Sequence, residues 1–227
     1  LALRRPVEAG LRFEARPKER EFALEMTEKL LESPEGRRIL EETIEEYKRR
    51  SQRIIIRSKS WPGTRLAAHG AVEQILGASS GESLFPLGEY RFNRAYLKMG
   101  NRDSALESAA MTMGHELRHL WLHAYISRVM PEYAGVLQLD LANEQSARLK
   151  GYLVAWEINR GRPSQGTLEA QQLLENPSAY WERIKIIDPS YALKLDSHEM
   201  RNPLSAYRSR LQALKRVLSA AALASRA

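Results

Sequence analysis

The residues with the clearest chemical meaning form the segment His115-Glu116-Leu117-Arg118-His119, in which two histidines stand four positions apart. On a helix, positions i and i+4 lie about 40° apart and one turn along the axis, so both imidazoles can direct a nitrogen at one metal ion. Glu116 projects beside the same face, where its carboxylate can act as general base on a water that the metal polarises. The spacing therefore predicts a metal-dependent hydrolytic site with two histidine ligands and a glutamate base.

The sequence around this segment predicts a long helix that would hold both histidines in place. Ser104 and Glu107 have the spacing of a capping box, and apolar residues follow at helical intervals as far as Ala124. We predict a helix over residues 104–129, closed by Met130-Pro131. This context disfavours the alternative that the two histidines merely line a solvated helix face.

A third ligand has to come from elsewhere in the chain. The sequence contains no cysteine, so a zinc site must be built from His, Asp and Glu, and a catalytic zinc normally takes three protein ligands and a water. His123 lies about 80° around the helix from His115 and two turns away, so a straight helix cannot bring both to the ion that His119 also binds. Metzincins carry Gly and His three and six residues after the second His, where this chain has Leu122 and Tyr125. That class is therefore disfavoured.

A second predicted helix, over residues 136–159, carries the pair Asn143-Glu144. Together with the His-Glu-x-x-His motif, this pair resembles the gluzincin metallopeptidases over residues 104–160. The resemblance implies a zincin-like fold, zinc, and hydrolysis of peptide bonds. It also implies that His115 and His119 are zinc ligands, that Glu116 is the base and that Glu144 is the third ligand.

The resemblance leaves several residue roles open. Asp140 and Glu157 are the alternative acids for the third ligand. Gluzincins of the thermolysin type carry an Asp shortly after the ligand Glu to orient a zinc histidine, whereas this chain has Ala147 and Arg148 there. Asp140, one turn before Glu144, is the candidate for that contact.

A further donor to the oxyanion is usual in such sites, and three residues near the end of the chain are candidates. His198 is the one that we predict to be catalytic, and Tyr191 and Tyr207 are the alternatives. Each residue type is also common in ordinary surface or core positions.

The 227 residues, 43% of them hydrophobic, suffice for one well-buried core. We predict a mainly helical α+β fold with one continuous domain, in which residues 1–52 form a helical region packed on a zincin-like domain of residues 53–227. The small sheet is expected from strands near residues 53–58 and 89–98. The second of these strands could offer its edge to an extended substrate, or it could be an ordinary half-buried strand.

Local patterns predict the remaining elements. Two amphipathic helices are expected within residues 18–51, with a break at Ser33-Pro34. The rest of the chain is expected to form a short helix at 65–76, a loop at 77–88, and helices near 168–174, 179–186 and 204–223.

Charge and hydropathy indicate which partners to expect. Lys and Arg outnumber Asp and Glu by 35 to 28, but the excess is spread along the chain, which is typical of a solvated surface. The sequence shows no clear nucleic-acid motif, and no apolar run approaches the roughly 18 residues that a membrane span needs. No signal peptide is visible, so we expect a cytoplasmic protein or one exported as an effector. The expected partner is a protein or peptide substrate.

Three functions are compatible with these residues. The first is a zinc-dependent metallopeptidase, the second is a zinc-binding regulator or effector with one narrow protein target, and the third is a non-catalytic zinc-binding module. The presence of Glu116 argues against the third function. A purely structural zinc site has no use for a carboxylate beside the coordination position that a catalytic zinc leaves to water. A fourth possibility, a peptidase recruited to nucleic acid, depends on the basic charge alone.

Overall fold

The computed structural model describes residues 9–60, 64–66, 72–74, 81–84, 88–162, 165–187 and 189–224. This part of the chain is mainly helical and includes a small sheet, as the predicted α+β class requires. The α-helices are α1 (Pro17–Glu32), α2 (Pro34–Lys48), α3 (Arg102–Val129), α4 (Pro131–Ala134), α5 (Leu141–Ile158), α6 (Gln165–Glu175), α7 (Pro177–Ile187) and α8 (Pro203–Ala224). Short 3-10 segments cover Arg94–Lys98, Leu137–Leu139, Pro189–Leu193 and Glu199–Arg201.

The strands form one mixed sheet and one hairpin. They are β1 (Leu11–Phe13), β2 (Ile54–Lys59), β3 (Thr64–Leu66), β4 (Val72–Gln74), β5 (Gly81–Leu84) and β6 (Glu89–Asn93). The sheet has the order β1-β2-β6-β5, with β1, β2 and β6 parallel and β5 antiparallel to β6. Strand β6 is paired on both sides, so it has no free edge for a substrate, and the edge strands are β1 and β5.

Two predictions for the segment between β2 and β6 are wrong. Within the helix predicted at residues 65–76, the described residues belong to β3 and β4, which pair antiparallel, and 67–71 and 75–76 lie outside the described residues. The loop predicted at 77–88 contains β5. In both segments, pairing with the next strand along the chain outweighed the local pattern. The strand predicted at 89–98 is confirmed only as far as Asn93, after which the chain turns into a 3-10 segment.

The first two helices were predicted correctly and pack into the main core. Phe22, Met26 and Leu30 of α1 are fully buried against residues of β2, β6 and α3. Full burial of one such side chain stabilises the fold by about 1.5–3 kcal/mol relative to leaving it exposed. Ser33 ends α1 and caps α2, because its Oγ accepts a hydrogen bond from Gly36 N. The same hydroxyl donates to the carboxylate of Glu157 at the end of α5.

The metal-motif helix α3 begins two residues before its predicted start. Asn101, not Ser104, is its N-cap: the Asn101 side chain accepts from Ser104 N at 3.1 Å. Helix α5 begins five residues later than predicted, because Asp140 caps it by accepting from Ala142 N at 2.9 Å. Both changes leave the two histidines and Glu144 inside helices. Within the described residues, no helix is long and apolar enough to cross a membrane.

Two glycines allow α3 and α5 to lie close together. A methyl group on Gly151 would lie 2.9 Å from Met111 O and 3.2 Å from His115 Cβ, and one on Gly114 would lie 3.0 Å from Val154 Cγ2. Arg118 of α3 also donates to Ser146 Oγ of α5 at 3.0 Å. The helix that carries Glu144 is thereby held against the helix that carries both histidines.

We expect Gly151→Ala to lower the free energy of unfolding by about 1–3 kcal/mol, because the new methyl group meets backbone that cannot move alone. Thermal or urea unfolding of purified protein measures this change. The matched control is Gly135→Ala, where nothing lies within 4 Å of the added methyl group. Equal stability of the two variants would contradict a close α3–α5 contact.

Candidate metal centre

Helices α3 and α5 bring three side chains of the metal-ligand type together. The ligand atoms of His115, His119 and Glu144 all lie within 4.8 Å of one another, and the group is buried or nearly so. His115 and His119 stand one turn apart on α3, and Glu144 faces them from the first turn of α5. The group could hold a metal ion.

The separations between the ligand atoms suit a small cation. A tetrahedral ion with bonds of about 2.0–2.1 Å places its ligand atoms about 3.3 Å apart. The two histidine Nε2 atoms are 3.1 Å apart. Each Nε2 also lies 3.5 Å from a carboxylate oxygen, His115 from Glu144 Oε1 and His119 from Glu144 Oε2. Two imidazoles and one carboxylate are a ligand set found in catalytic zinc sites.

Electrostatics favour the protonation states in which His115 and Glu144 can bind a metal ion. Burial lowers the pKa of His115 to about 3, so its imidazole is neutral near pH 7 and keeps a lone pair for a metal. Burial alone would raise the pKa of Glu144, but His115, His119 and Lys194 together hold that pKa well below its usual value. The carboxylate is therefore ionised.

Asn143 fixes the orientation and the tautomer of His119. Its amide Nδ2 donates to Leu137 O at 3.2 Å, so its Oδ1 faces His119 Nδ1 at 3.0 Å. Since a carbonyl oxygen can only accept, Nδ1 carries a proton, and Nε2 is the nitrogen that faces His115 and Glu144. Burial would lower the pKa of His119, but the hydrogen bond and charge of Glu144 raise it, so a bound cation would displace a proton there.

Glu116 lies next to this group without being part of it. Its Oε1 is 3.9 Å from His115 Nε2, and 12% of its side chain is exposed. The side chains of His115 and His119 retain 18% and 12% exposure. All three side chains therefore keep some contact with solvent.

Two cations border Glu144, and the sequence patterns did not identify their role. Arg148 donates from Nε to Glu144 Oε1 at 3.2 Å and from Nη1 to Tyr180 OH at 2.9 Å. Its guanidinium also stacks 4.7 Å from the ring centre of Tyr191. Lys194 places Nζ 3.5 Å from Glu144 Oε2. Both cations thus contact the carboxylate of Glu144 and neither histidine of the group.

The alternative acids are engaged elsewhere. Asp140 caps α5, and burial raises its pKa. Glu157 accepts hydrogen bonds from Ser33 Oγ and from Glu35 N. The contact to a ligand histidine that we expected from Asp140 is made by Asn143 instead, so that expectation was wrong.

The remaining sequence candidates lie outside the three-residue group. His198 is exposed, and its backbone N–H donates to Asp196 Oδ1 at 2.9 Å. Tyr191 packs on Arg148, and Tyr207 is half-buried on α8. Burial lowers the pKa of His123 to about 4. A catalytic role for His198 stays a prediction.

Comparison with known proteins adds no functional information. The chain matches no model of a protein family, no curated protein and no solved structure. The functional argument therefore depends on the geometry of the centre.

We expect Asn143→Ala to weaken metal binding by about 10–100-fold, because the His119 ring loses the acceptor that fixes its tautomer. Competition with a chromogenic chelator measures the affinity. Asn159→Ala is the matched control: Asn159 lies at the other end of α5 and donates to Ala155 O at 2.9 Å. Equal affinities in the two variants would contradict the role given to Asn143.

Proposed function

We propose that the protein is a zinc-dependent metallopeptidase in which His115, His119 and Glu144 hold the zinc and Glu116 is the general base. The observation that carries this proposal is the convergence of two imidazole nitrogens and one ionised carboxylate at separations of 3.1–3.5 Å. Zinc is the favoured metal because this nitrogen and carboxylate set is typical of its catalytic sites.

The three-ligand set favours a catalytic role over a structural one. Structural zinc sites are closed by four protein ligands, whereas catalytic sites keep one position for water. Within the described residues, the group contains only three side chains of the ligand type. Glu116 lies beside the remaining position and retains some exposure to solvent.

In the proposed mechanism, the zinc would polarise a water molecule and stabilise negative charge in the transition state. Glu116 takes a proton from that water, which attacks the carbonyl carbon of the scissile peptide bond. Glu116 then returns the proton to the leaving amine. Asn143 and Arg148 keep His119 and Glu144 in position throughout.

The alternative of a regulator or effector with one narrow target keeps the same metal site and differs only in the range of substrates. Cleavage of mixed peptides distinguishes the two: a general peptidase cleaves many peptides of a mixture, whereas an effector with one narrow target cleaves few. Zinc-loaded protein is incubated with a proteome-derived peptide library, and new amino termini are identified by mass spectrometry. We expect cleavage that a zinc chelator abolishes and added zinc restores. Zinc-loaded protein that cleaves none of the library, nor an intact proteome, would contradict the peptidase proposal.

A further inference from the structure

A lysine ammonium lies at the border of the candidate metal centre. Lys194 Nζ is 3.5 Å from Glu144 Oε2 and donates to Gln138 O at 2.8 Å. About a fifth of its side chain, 22%, remains exposed. It is therefore a cation that contacts a ligand carboxylate and still has access to solvent.

The backbone around Lys194 is held firmly against the start of α5. Leu195 N donates to Leu139 O at 2.7 Å, and Leu141 N donates to Leu195 O at 2.9 Å. Leu195 is fully buried. Arg210 of α8 adds a hydrogen bond from Nη1 to Lys194 O at 2.7 Å. The backbone of Lys194 is thus fixed, and the hydrogen bond from Nζ to Gln138 O places the ammonium beside Glu144 before any ligand binds. Such preorganisation is the condition for effective electrostatic stabilisation.

The charge of Lys194 is unfavourable for metal binding as such. An ammonium beside a ligand carboxylate repels a dication and takes up part of the negative charge that would attract it. Arg148 already holds the Glu144 carboxylate in position, so a site that only had to hold a metal would need no second cation there. A hydrolytic site would gain, because negative charge develops on the substrate's carbonyl oxygen next to the metal ligands.

The ammonium also has the hydrogen-bonding capacity for this role. It carries three N–H donors: within the described residues it donates to Gln138 O, and it forms an ion pair with Glu144 Oε2 at 3.5 Å. One donor can therefore bind an oxygen that arrives beside Glu144.

We propose that Lys194 is a further catalytic residue, whose ammonium donates a hydrogen bond to the scissile carbonyl oxygen as that oxygen becomes negatively charged. The proton stays on Nζ throughout, so no bond of the lysine is made or broken. This inference rests on the proposed function and gives Lys194 the part for which the sequence suggested His198.

The test uses cobalt-loaded protein, because cobalt(II) absorbs visible light and its spectrum changes when an anion binds to it. Acetohydroxamate, a small metal-binding anion, is titrated into wild type, Lys194→Met and Lys185→Met. Lys185 is the matched control, since it pairs with Glu182 on the surface of α7. We expect one cobalt per chain in all three proteins and about 10–100-fold weaker hydroxamate binding in Lys194→Met alone. Turnover of any peptide that the wild type cleaves should fall about 10²–10³-fold in the same variant.

Each contrary result has a separate meaning. Equal hydroxamate affinity in Lys194→Met and wild type overturns the inference and leaves the proposed function intact. Loss of cobalt from Lys194→Met also overturns it, because the lysine would then serve to hold the metal ligand. A wild type that binds no cobalt overturns the proposed function together with this inference.

Discussion

Replacing Glu116 by Gln is expected to slow peptide hydrolysis by about 10²–10⁴-fold while the metal stays bound. The amide fills the same space but cannot take a proton from water. Glu116 contributes no atom to the group of His115, His119 and Glu144, so the ligand set is unchanged. The measurements are turnover of a cleaved library peptide and metal content of the same sample.

The control for this prediction is Glu107→Gln, a change of the same kind nine residues earlier on α3 that should leave turnover unaffected. Loss of metal from Glu116→Gln would contradict its assignment as base and place it among the ligands. Full activity with metal bound would exclude Glu116 from the reaction.

The second large effect is expected on metal affinity, when one of the proposed metal ligands is replaced. We expect His115→Ala and Glu144→Gln each to weaken metal affinity by more than about 100-fold. This loss is larger than the one expected when a residue that only contacts a ligand, such as Asn143, is replaced. The Gln variant keeps the volume of the buried side chain and its contact with Arg148, but it removes the negative charge that balances Arg148 and Lys194. Affinity is measured by chelator competition, with unfolding curves to show that each variant is folded.

His198→Ala is the control for the ligand variants, since His198 is exposed and outside the three-residue group. It should bind metal as wild type does. Its turnover also tests the role predicted from sequence: a large loss with metal bound would assign the oxyanion contact to His198 and not to Lys194. Glu144→Gln with wild-type affinity would contradict the proposed ligand set.

Sequence patterns predicted the helical elements well because their signals are local. The i, i+4 spacing of His115 and His119 within an apolar-patterned helix is visible in the chain itself. The cap of α3 was misplaced because Asn101 and Ser104 are both good capping residues, and the hydrogen bond from Ser104 N to Asn101 decides between them.

Features that depend on contacts between distant segments could not be predicted. Strand β5 was missed for another reason: its segment is rich in Gly and Ser, and its strand character is evident only from its pairing with the neighbouring β6. The contact between Lys194 and Glu144 depends on how residues 189–195 cross the start of α5, which no local pattern encodes. Asn143 was visible beside Glu144, but its role follows only from the amide orientation that Leu137 O fixes.

Metal content of the purified wild-type protein tests the central claim most directly. Elemental analysis after reconstitution with zinc and removal of excess metal is expected to give about one zinc per chain. Protein that is folded by circular dichroism and yet retains no zinc would contradict the metal centre, and with it the proposed peptidase activity.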